Sequence, residues 1–448
     1  MLRITILGGG YLGVVSAICY CECGFHVDVI EINPKRLSDL KKGITFVYEP
    51  SFESSLKNLQ KQGVLRFFGN LSEAHSPADA IIIAVPGISF DNLAVYKAIQ
   101  DISVLLTKDQ YTCIIIHTVT AIGTCSIIKK NIRFMRPDLT IGEHYDIISN
   151  PTFLREGYPL HDFISPSRLV IGMDLNSSKA HELINKLYAG TILSNIPIIY
   201  TNYETAELIK YATTAFEFSK ITLVNEISEL CEKVGANMDS LISGVGLDEN
   251  VGMNLMKVTP GYGGMGQSAL IQELIKVGEI FGVNLRILQS SVESNTDRII
   301  SIFKKIICQI ADEKNNEYRK VTILGLTYRS QTNEVKESPS IKVIKELLQN
   351  DITVTAYDPS LSPNMPDIGQ IIPQDVLKSA KFYLLESAYE AVNQSYIVVI
   401  MTNWSEFLSL DFDKVAELMY KKSNGKPKLM NYSNIFPTSH FKNFDCIC

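Results

Sequence analysis

A glycine-rich turn at residues 8–13 constrains the fold of this chain more than any other feature. Residues 2–7 read as a buried apolar strand, and Gly8-Gly9-Gly10-Tyr11-Leu12-Gly13 satisfies the pattern GxGxxG where a helix is due to begin. A second apolar strand is predicted over residues 26–32. A strand, a tight turn, a helix and a strand in this order form a parallel βαβ unit, so the sequence predicts an α/β domain.

The same residues predict a dinucleotide site. Gly8 permits the tight turn, Gly10 lets the backbone approach a pyrophosphate, and Gly13 lets the helix pack closely on the strand. The first helical turn, with Tyr11 and Leu12, offers unpaired backbone N–H groups and a positive dipole to the phosphates. The structural alternative is a glycine turn that binds nothing.

Glu31, at the end of the second strand, predicts which dinucleotide binds. Its carboxylate would accept hydrogen bonds from the ribose hydroxyls and repel a 2′-phosphate, so NAD is favoured over NADP. Lys35 and Arg36 follow it and keep NADP open as an alternative.

Strand and helix patterns alternate in two separate parts of the chain. Apolar runs at 80–85, 113–117 and 145–149 predict further strands, so we expect a doubly wound Rossmann domain over residues 1–195. A second alternation begins near residue 320 and predicts a Rossmann-like domain over 301–448.

The middle of the chain has a different pattern. Apolar residues recur at helical spacing over residues 204–234 with almost no helix breaker, which predicts one long helix. We expect it to act as the spine of a central helical domain, residues 196–300, and as a contact between two copies of the chain. A glycine-rich loop, residues 261–266, follows, and helix is predicted again from Ser268.

Composition excludes several classes of protein. The chain has 448 residues, 46% hydrophobic, with a formal net charge of -6, which argues against disorder and gives no reason to expect nucleic acid as a partner. Its nine cysteines are scattered and odd in number, which favours a reducing cytoplasm. No apolar run approaches the ~20 residues of a membrane helix. Cys19, Cys21 and Cys23 alternate, but no second ligand pair follows, so no metal site is predicted.

Ordered motifs extend over nearly the whole chain. They are the opening Gly8–Val14, Tyr48-Glu49-Pro50, His117-Thr118-Val119, Asn150–Gly157, Asp162-Phe163 with Pro166, Arg168 and Gly172, Glu207–Lys210, the glycine loop Gly261–Gly264, Gly325-Leu326 through Glu337-Ser338-Pro339, Tyr357-Asp358-Pro359 and Thr402-Asn403-Trp404. With these motifs the sequence resembles the UDP-glucose/GDP-mannose dehydrogenase family. The resemblance implies two NAD-dependent oxidations of a nucleotide sugar at C6, through a cysteine thioester that water releases as a uronic acid.

The resemblance also implies which residues form the site. For the cofactor it implies Val85, Thr118, Glu156 and Lys336 beside the glycine turn. For the nucleotide sugar, most simply a UDP-sugar, it implies Phe153, Leu154, Lys210, Lys257, Tyr262, Gly263, Gly264, Tyr328 and Arg329. Lys210 and Thr118 are the candidate catalytic residues, since Lys210 can stabilise a developing alkoxide. Ordinary surface, capping or turn roles are the alternatives for these residues.

The chain departs from the family pattern where the carbon chemistry takes place. Gly266 stands at the position of the catalytic cysteine, and Ala269 and Leu270 replace a lysine and an aspartate. Other replacements are Thr152 for a glutamate, Thr214 for an asparagine, Asn250 and Lys336 for arginines, and Ser433-Asn434 for an arginine-asparagine pair. A glycine cannot form a thioester, so we expect the route to uronic acid to be lost.

Three functions therefore stay open from the sequence. The first is an NAD-dependent enzyme that carries out a two-electron hydride transfer on a sugar alcohol. The second is a non-catalytic protein that binds nucleotides or nucleotide sugars. The third is a working UDP-glucose 6-dehydrogenase that recruits a cysteine from elsewhere in the chain. In each case we expect a homodimer through the long central helix.

Overall fold

In the computed structural model, the described residues are 2–45, 52–74, 78–87, 92–155, 157–310, 319–420, 425–433, 441 and 443–446, with residue 265 described by its backbone alone. The chain divides into two compact units, Met1–Thr213 and Thr214–Cys448. Tyr48-Glu49-Pro50, Glu156 and Asn434, which the sequence analysis singled out, lie outside the described residues.

The first unit is built on an eight-stranded sheet. Its strands are β1 (Arg3–Leu7), β2 (His26–Ile30), β3 (Leu65–Phe68), β4 (Ala80–Ile83), β5 (Thr112–Ile116), β6 (Tyr145–Ser149), β7 (Leu169–Gly172) and β8 (Ile198–Thr201). They lie in the order β3-β2-β1-β4-β5-β6-β7-β8. Neighbouring strands are parallel except β6 and β7, which pair antiparallel through Ser149 and Gly172.

Helices separate most of these strands in the chain. They are α1 (Tyr11–Glu22), α2 (Pro34–Lys41), α3 (Phe52–Lys61), α4 (Leu93–Leu105), α5 (Thr124–Met135), α6 (Pro159–Ile164), α7 (Ser178–Leu187) and α8 (Ala189–Leu193), with a short 3₁₀ helix at Leu71–Glu73. Two apolar cores form, one including Ile6, Val14 and Ile82 and the other including Ile83, Ile99 and Ile114. Adjacent residues Ile82 and Ile83 enter different cores because successive strand residues point to opposite faces of the sheet.

The second unit carries a six-stranded sheet in which every described neighbouring pair is parallel. Its strands are β9 (Lys320–Leu324), β10 (Thr353–Tyr357), β11 (Phe382–Leu384), β12 (Ile397–Ile400), β13 (Lys428–Asn431) and β14 (Asp445–Cys446). They lie in the order β11-β10-β9-β12-β13-β14. Because β9 lies between β10 and β12, the strand order reverses there, and ligands of open α/β sheets bind at such a reversal, beyond the carboxyl ends of the strands.

A helical region lies between the two sheets in the sequence. It consists of α9 (Tyr203–Val234), α10 (Met238–Gly246), α11 (Met265–Ile280) and α12 (Arg286–Ile310), and the boundary between the compact units falls within α9. The remaining helices of the second unit are α13 (Pro339–Gln349), α14 (Ile368–Ile371), α15 (Gln374–Leu377), α16 (Ala388–Val392) and α17 (Phe412–Leu418), with a 3₁₀ helix at Ser405–Ser409.

The predicted fold class, two Rossmann-like domains with a helical domain that contains a long helix, is confirmed. Several details differ from the sequence prediction. Helix α11 begins at Met265, three residues before the predicted start at Ser268, so Gly266 lies in its first turn. Six strands were not predicted individually, namely β3, β7, β8, β11, β13 and β14, and β8 extends the first sheet past residue 195. The domain limits at 195 and 300 stay predictions.

Among the described residues, no helix combines the length and the apolar character needed to cross a membrane. The same part of the chain holds no group of three or more His, Cys, Asp or Glu residues arranged to hold a metal ion.

Candidate functional site

The glycine turn after β1 has the geometry that a dinucleotide requires. Gly8 has a φ of +106°, and a Cβ built on Gly13 would lie 1.8 Å from the Gly8 carbonyl oxygen, so neither position admits a side chain. A Cβ on Gly10 would instead meet no atom within 4 Å. Gly10 precedes α1, whose first turn has no side-chain cap. The backbone is therefore open to a phosphate and offers it N–H groups.

Glu31 is buried beside this turn and already has three donors. Its carboxylate accepts hydrogen bonds from the Gly9 N–H at 3.2 Å and the Asn33 N–H at 2.7 Å. The Arg36 guanidinium pairs with it at 3.1 Å. Glu31 thus links the glycine turn to the start of α2 and to the Arg36 side chain.

These residues fit NAD. They lie at the carboxyl ends of β1 and β2, and β1 adjoins β4 where the strand order reverses. Gly10 with the first turn of α1 would hold the pyrophosphate, and Glu31 would hold the ribose. The other predicted cofactor residues of this unit are the half-buried Tyr11, Leu12 and Val85, the buried Thr118, and the exposed Lys35. Lys336, also predicted to contact the cofactor, lies in the second unit.

Lys210 lies beside the ring of Phe153 in the first unit. The Lys210 ammonium is 5.1 Å from the ring centroid, and the Arg168 guanidinium is 4.1 Å from the same centroid. Arg168 also donates to the Thr213 hydroxyl at 2.9 Å, one turn after Lys210 on α9. The structure thus brings together two predicted residues, Lys210 and Phe153, and adds Arg168, which we had noted only as part of a motif.

Two side chains on α9 fix the position of Lys210. The buried Glu207 carboxylate accepts hydrogen bonds from the N–H groups of Gly123 and Cys125, at the start of α5. The Tyr211 hydroxyl donates to the carbonyl oxygen of Thr120 at 3.0 Å. These contacts fasten the first turns of α9 to the segment that follows Thr118. Lys210 is therefore held in a defined position relative to the other candidate catalytic residue.

His117 forms part of a buried polar network next to Thr118. Its Nε2 lies 3.2 Å from the Tyr20 hydroxyl and 3.4 Å from the Tyr188 hydroxyl, and Tyr188 donates to Asn150. Burial lowers the pKa of His117 to about 4, so the imidazole is neutral near pH 7. A neutral, buried imidazole orders the segment around it rather than exchanging protons with a ligand.

The arginine of the motif Asn150–Gly157 has a structural partner. Arg155 donates to the Asp162 carboxylate from its backbone N–H at 2.9 Å, from Nε at 2.8 Å and from Nη2 at 2.6 Å. These hydrogen bonds lower the pKa of the Asp162 carboxyl, although its partial burial acts in the opposite direction and is the largest single influence. The pair holds the segment that carries Phe153 and Leu154.

In the second unit, the glycine loop packs against the segment that follows β9. A Cβ on Gly263 would lie 2.6 Å from the Glu337 carbonyl oxygen and 3.2 Å from Tyr328 Cβ. Gly264 has a φ of +98°, and a Cβ built on it would lie 3.1 Å from the Tyr328 ring. Only glycine allows this approach. The structure therefore brings the predicted residues Gly263, Gly264 and Tyr328 to one place.

Lys257 and Arg329 are two positive charges of this region that influence each other electrostatically. Partial desolvation lowers the pKa of the Lys257 ammonium, and the Arg329 guanidinium lowers it further. Lys257 keeps an accessible surface. No ion pair joins either residue to an acid among the described residues. Two cations that have no ion pair among the described residues remain candidates for binding a diphosphate.

Three residues with a left-handed backbone lie near the basic residues of this region. Leu255, Gln331 and Glu337 have φ values of +64°, +63° and +57°, which residues other than glycine rarely adopt. They lie within two residues of Lys257, Arg329 and the exposed Lys336, respectively. Strained backbone that a fold maintains is commonly found where a ligand is held.

Three polar residues that the sequence analysis missed hold the glycine loop. Asn295 on α12 accepts from the Tyr262 N–H at 2.7 Å and donates to its carbonyl oxygen at 3.1 Å. Asn225 on α9 accepts from the Thr259 N–H at 2.8 Å. Arg298 on α12 donates to the Thr259 carbonyl oxygen at 3.3 Å and pairs with Glu229. The helical spacing of these residues gave no sign of this role, because their partners lie more than thirty positions away in the sequence.

The positions where the sequence predicts replaced catalytic groups have environments that match the residues present. Gly266 is exposed in the first turn of α11, and a Cβ there would meet no atom within 4 Å. Leu270, which replaces an aspartate, is only 3% exposed and belongs to the apolar interior. Asn250 uses its side-chain amide within its own loop, where it donates to Asp248 at 3.0 Å.

The cysteines of the first unit are poor candidates for an activated thiol. Burial raises the pKa of Cys21 to about 12, and it raises the pKa values of Cys19, Cys113 and Cys125 even further. The pKa of the exposed Cys23 is also raised, by partial desolvation and by Glu22. These thiols are therefore protonated near neutral pH, and the protonated form is not the nucleophile.

Together, the fold and the glycine turn place this chain among the α/β proteins with a Rossmann dinucleotide site. Family models narrow the class: residues 2–192 match the NAD binding domain of the UDP-glucose/GDP-mannose dehydrogenase family, residues 204–297 its central domain, and residues 322–430 its UDP binding domain. The chain belongs to the UDP-glucose/GDP-mannose dehydrogenase family.

Individual relatives agree with this assignment. A UDP-glucose 6-dehydrogenase of Rhizobium meliloti is 32% identical over 441 residues, covering 97% of this chain and 96% of the relative. One of Rickettsia conorii is 33% identical, with 98% and 97% covered. Among solved structures, a UDP-glucose dehydrogenase from Pyrobaculum islandicum has a TM-score of 0.83 at 25% identity, with 97% of this chain and 95% of that chain covered.

The expected cofactor, NAD, and the resemblance to nucleotide-sugar dehydrogenases are therefore confirmed, and the chain includes the family's UDP binding domain. The roles of individual residues stay predictions.

Proposed function

We propose that this protein binds NAD and a UDP-sugar, and that it does not form uronic acid through a thioester. The observation that carries the proposal is the contrast between two parts of the second unit. Lys257 and Arg329 retain an uncompensated pair of positive charges suited to a diphosphate. Gly266 stands where the family pattern implies a cysteine, and a glycine supplies no sulfur nucleophile. Ligand binding is thus supported more strongly than the oxidation of an aldehyde.

A two-electron reaction needs fewer groups than the thioester route. Oxidation of a sugar alcohol breaks one C–H bond, whose electron pair leaves as hydride, and one O–H bond, whose proton leaves to water. Bound NAD supplies the hydride acceptor. Lys210 would stabilise the developing alkoxide, and Thr118 would orient it. The reverse reaction, reduction of a sugar ketone or aldehyde, balances in the same way and uses the same residues.

A second candidate function is binding without turnover. It is favoured by Leu270, which stands where the family pattern has an aspartate. The Leu270 side chain is only 3% exposed, so its apolar surroundings do not suit a charged group. In this case the nucleotide sites serve sensing or assembly. The third possibility, a working UDP-glucose 6-dehydrogenase, is what the names of the relatives suggest, and it requires a thiol from elsewhere.

One experiment separates the three functions. We would titrate UDP and NAD separately into the full-length protein by calorimetry, and then follow NADH absorbance by stopped flow across a panel of UDP- and GDP-sugars. The proposal expects micromolar binding of both ligands, and either a single hydride equivalent per sugar or no turnover. Uronic acid with two NADH per sugar, or a thioester detected by mass spectrometry, would contradict it.

The cation pair can be tested directly. Lys257→Met and Arg329→Met should each weaken UDP binding by about tenfold or more, as expected for the loss of a charge-assisted contact to phosphate. Lys304→Met, at an exposed position on α12, is the matched control and should leave UDP affinity unchanged. Equal affinity in all three variants would place the diphosphate elsewhere.

We also propose a homodimer through α9. Phe216, Leu223 and Leu230 recur every seven residues on this helix and are 80%, 55% and 58% exposed. Seven residues are close to two helical turns, so the three side chains form one apolar stripe. A stripe of this kind is costly to leave in water, and a second copy of the same helix would cover it. Light scattering at micromolar concentration should give twice the mass of the chain.

A further inference from the structure

Asp358 is the most heavily hydrogen-bonded side chain at the carboxyl edge of the second sheet. It directly follows β10 and is completely buried. One carboxylate oxygen, Oδ2, accepts from the N–H groups of Leu326 at 2.8 Å and Thr327 at 3.1 Å. The same oxygen accepts from the Thr327 hydroxyl at 3.1 Å and from the Trp404 indole N–H at 3.1 Å. The other oxygen, Oδ1, accepts from the N–H and the hydroxyl of Ser360.

The donors come from segments at the ends of three adjacent strands. Leu326 and Thr327 follow β9, Ser360 follows β10 together with Asp358, and Trp404 follows β12. Since β9 lies between β10 and β12, Asp358 joins the strand ends at the reversal of strand order. A buried carboxylate is costly unless donors surround it, so this arrangement holds the three segments together.

The carbonyl oxygens of the same segment are also occupied. The Ser338 hydroxyl donates to the Leu326 carbonyl oxygen at 2.7 Å, and the Thr402 hydroxyl donates to that of Thr327 at 2.6 Å. Gly325, with a φ of +92°, leaves no space for a side chain, because a Cβ there would lie 2.5 Å from Thr402 Cβ. The backbone of residues 325–327 is therefore fixed on both its donor and acceptor sides.

Tyr328 and Arg329 emerge directly from this fixed segment. Tyr328 packs on Gly264 of the glycine loop, and Arg329 lies close enough to Lys257 to lower the pKa of its ammonium. The donors that surround Asp358 among the described residues are uncharged, so the carboxylate shapes the segment without neutralising either cation. The cation pair keeps its charge for a ligand.

We propose that Asp358 is a positioning residue for the nucleoside diphosphate site, acting through Leu326 and Thr327 on Tyr328 and Arg329. This inference rests on the proposed function, because it requires the cation pair to bind a diphosphate. Asp358 itself does not touch the ligand. It fixes the backbone from which the ligand-binding side chains extend, and Trp404 is the indole donor in that arrangement.

Replacing the carboxylate by an amide tests the inference with little change in volume. In Asp358→Asn, one of the two oxygens becomes an NH₂ group, which must face N–H donors of either Ser360 or the Leu326–Thr327 segment. We expect the dissociation constant for UDP, measured by calorimetry on the full-length variant, to rise about tenfold. The dissociation constant for NAD should change less than about twofold, because the glycine turn lies in the first unit.

Trp404 supplies a spectroscopic signature. It is the one tryptophan of the chain, so its fluorescence reports on this cluster alone. The emission of Asp358→Asn should shift, because the indole N–H loses its charged acceptor. Trp404→Phe removes a single donor and keeps an aromatic ring. It should weaken UDP binding in the same direction but by a smaller factor, and it keeps the test available if the asparagine variant fails to fold.

Thr355→Val is the matched control. Thr355 is a buried residue of β10 whose hydroxyl donates to the Ala391 carbonyl oxygen at 2.8 Å and lies 2.9 Å from the Thr322 hydroxyl on β9, so its described hydrogen bonds do not involve residues 325–329. This variant should lower the melting temperature while UDP affinity stays that of the parent. If the control weakens UDP binding as much as Asp358→Asn does, or if Asp358→Asn and Trp404→Phe leave it unchanged, the positioning role is refuted. If the parent protein binds no UDP, the proposed function itself fails, and this inference fails with it.

Discussion

The Lys210 ammonium lies 5.1 Å from the centroid of the Phe153 ring, within the range of a cation–π contact. Phe153 belongs to the motif Asn150–Gly157, and Lys210 lies on α9, so two motifs more than fifty residues apart meet at one aromatic ring. The contact keeps the ammonium at a defined place even without substrate. In the proposed hydride transfer, this ammonium would stabilise the developing alkoxide.

Removing this cation should abolish any turnover while cofactor binding stays intact. In Lys210→Met we expect the rate of NADH formation to fall by about 10²–10³-fold, the usual cost of losing a group that stabilises a developing oxyanion. Calorimetry should give an unchanged dissociation constant for NAD. Lys233→Met, in the last turn of the same helix, is the control. A Lys210→Met variant as fast as the parent would remove Lys210 from the chemistry.

The cofactor preference should depend on Glu31 and Arg36 together. Glu31→Ser removes the carboxylate that would repel a 2′-phosphate and frees the Arg36 guanidinium, now paired with it at 3.1 Å. We expect NADP affinity to rise by about tenfold and NAD affinity to fall, both measured by calorimetry. Adding Arg36→Ala should cancel the gain for NADP. An NADP affinity that does not depend on Arg36 would show that another residue reads the 2′ position.

The missing cysteine can be supplied without a steric cost. Because a Cβ at Gly266 would meet no atom within 4 Å, Gly266→Cys should fold normally and leave the dissociation constant for UDP unchanged. Its thiol, in the first turn of the 16-residue helix α11, should react with iodoacetamide faster than the native cysteines, since a helix N-terminus favours the thiolate. Mass spectrometry after limited labelling measures this directly.

Gly263→Cys is the contrasting variant in the same loop. Its Cβ would lie 2.6 Å from the Glu337 carbonyl oxygen, so it should lower both the melting temperature and the UDP affinity. Neither variant should form uronic acid, because Ala269 and Leu270 lack the charged groups of the family pattern. Uronic acid from Gly266→Cys alone would show that the thiol was the one missing element.

The affinity for UDP should depend on pH through Lys257. Desolvation and Arg329 lower the pKa of its ammonium, so raising the pH converts Lys257 to the neutral amine earlier than an ordinary lysine. UDP affinity should therefore decrease as the pH rises from about 7 towards about 10.4, the ordinary lysine pKa. Bound diphosphate favours the ammonium and raises its pKa, so binding at alkaline pH should take up protons.

Calorimetry in two buffers of different ionisation enthalpy measures that proton uptake. The stability of the unliganded protein has the opposite trend, because a lysine whose folded pKa is lowered binds fewer protons in the folded state than in the unfolded state. The contribution of Lys257 to the free energy of unfolding then increases as pH rises through its folded pKa. A proton uptake that persists in Lys257→Met would assign the effect to another group.

The sequence predicted what depends on local geometry. The predicted strand, turn and helix around residues 8–13 are confirmed, because GxGxxG, a strand and an acidic residue lie within one βαβ unit. Helix α11 begins earlier than predicted, because the glycines of residues 261–266 suggested a loop, whereas Gly266 tolerates a first helical turn. Strand β8 was missed because it is short and mostly half-buried, without the continuous apolar run of the central strands.

The residues that organise the candidate site could not be found in this way. Asp358, Asn295 and Arg298 act on partners thirty or more positions distant, at Leu326, Tyr262 and Thr259. Their roles depend on which strand ends and helix faces the fold brings together. Asp358 stood out in the sequence only as part of the motif Tyr357-Asp358-Pro359, and Asn295 and Arg298 did not stand out at all. The residues predicted to contact the ligands stay predictions, while the side chains that support them could be found only in the structure.

The apolar stripe on α9 predicts that a charge placed within it should prevent dimerisation. Leu223→Glu places a charge in the middle of the stripe formed with Phe216 and Leu230, and burying an unpaired carboxylate in an interface costs more than a dimer of this kind should tolerate. We expect the variant to be a monomer by light scattering at micromolar concentration. Leu193→Glu, at an 83% exposed leucine on α8, is the control and should leave the mass unchanged. If the parent chain is already a monomer, or if Leu223→Glu remains a dimer, α9 does not form the interface.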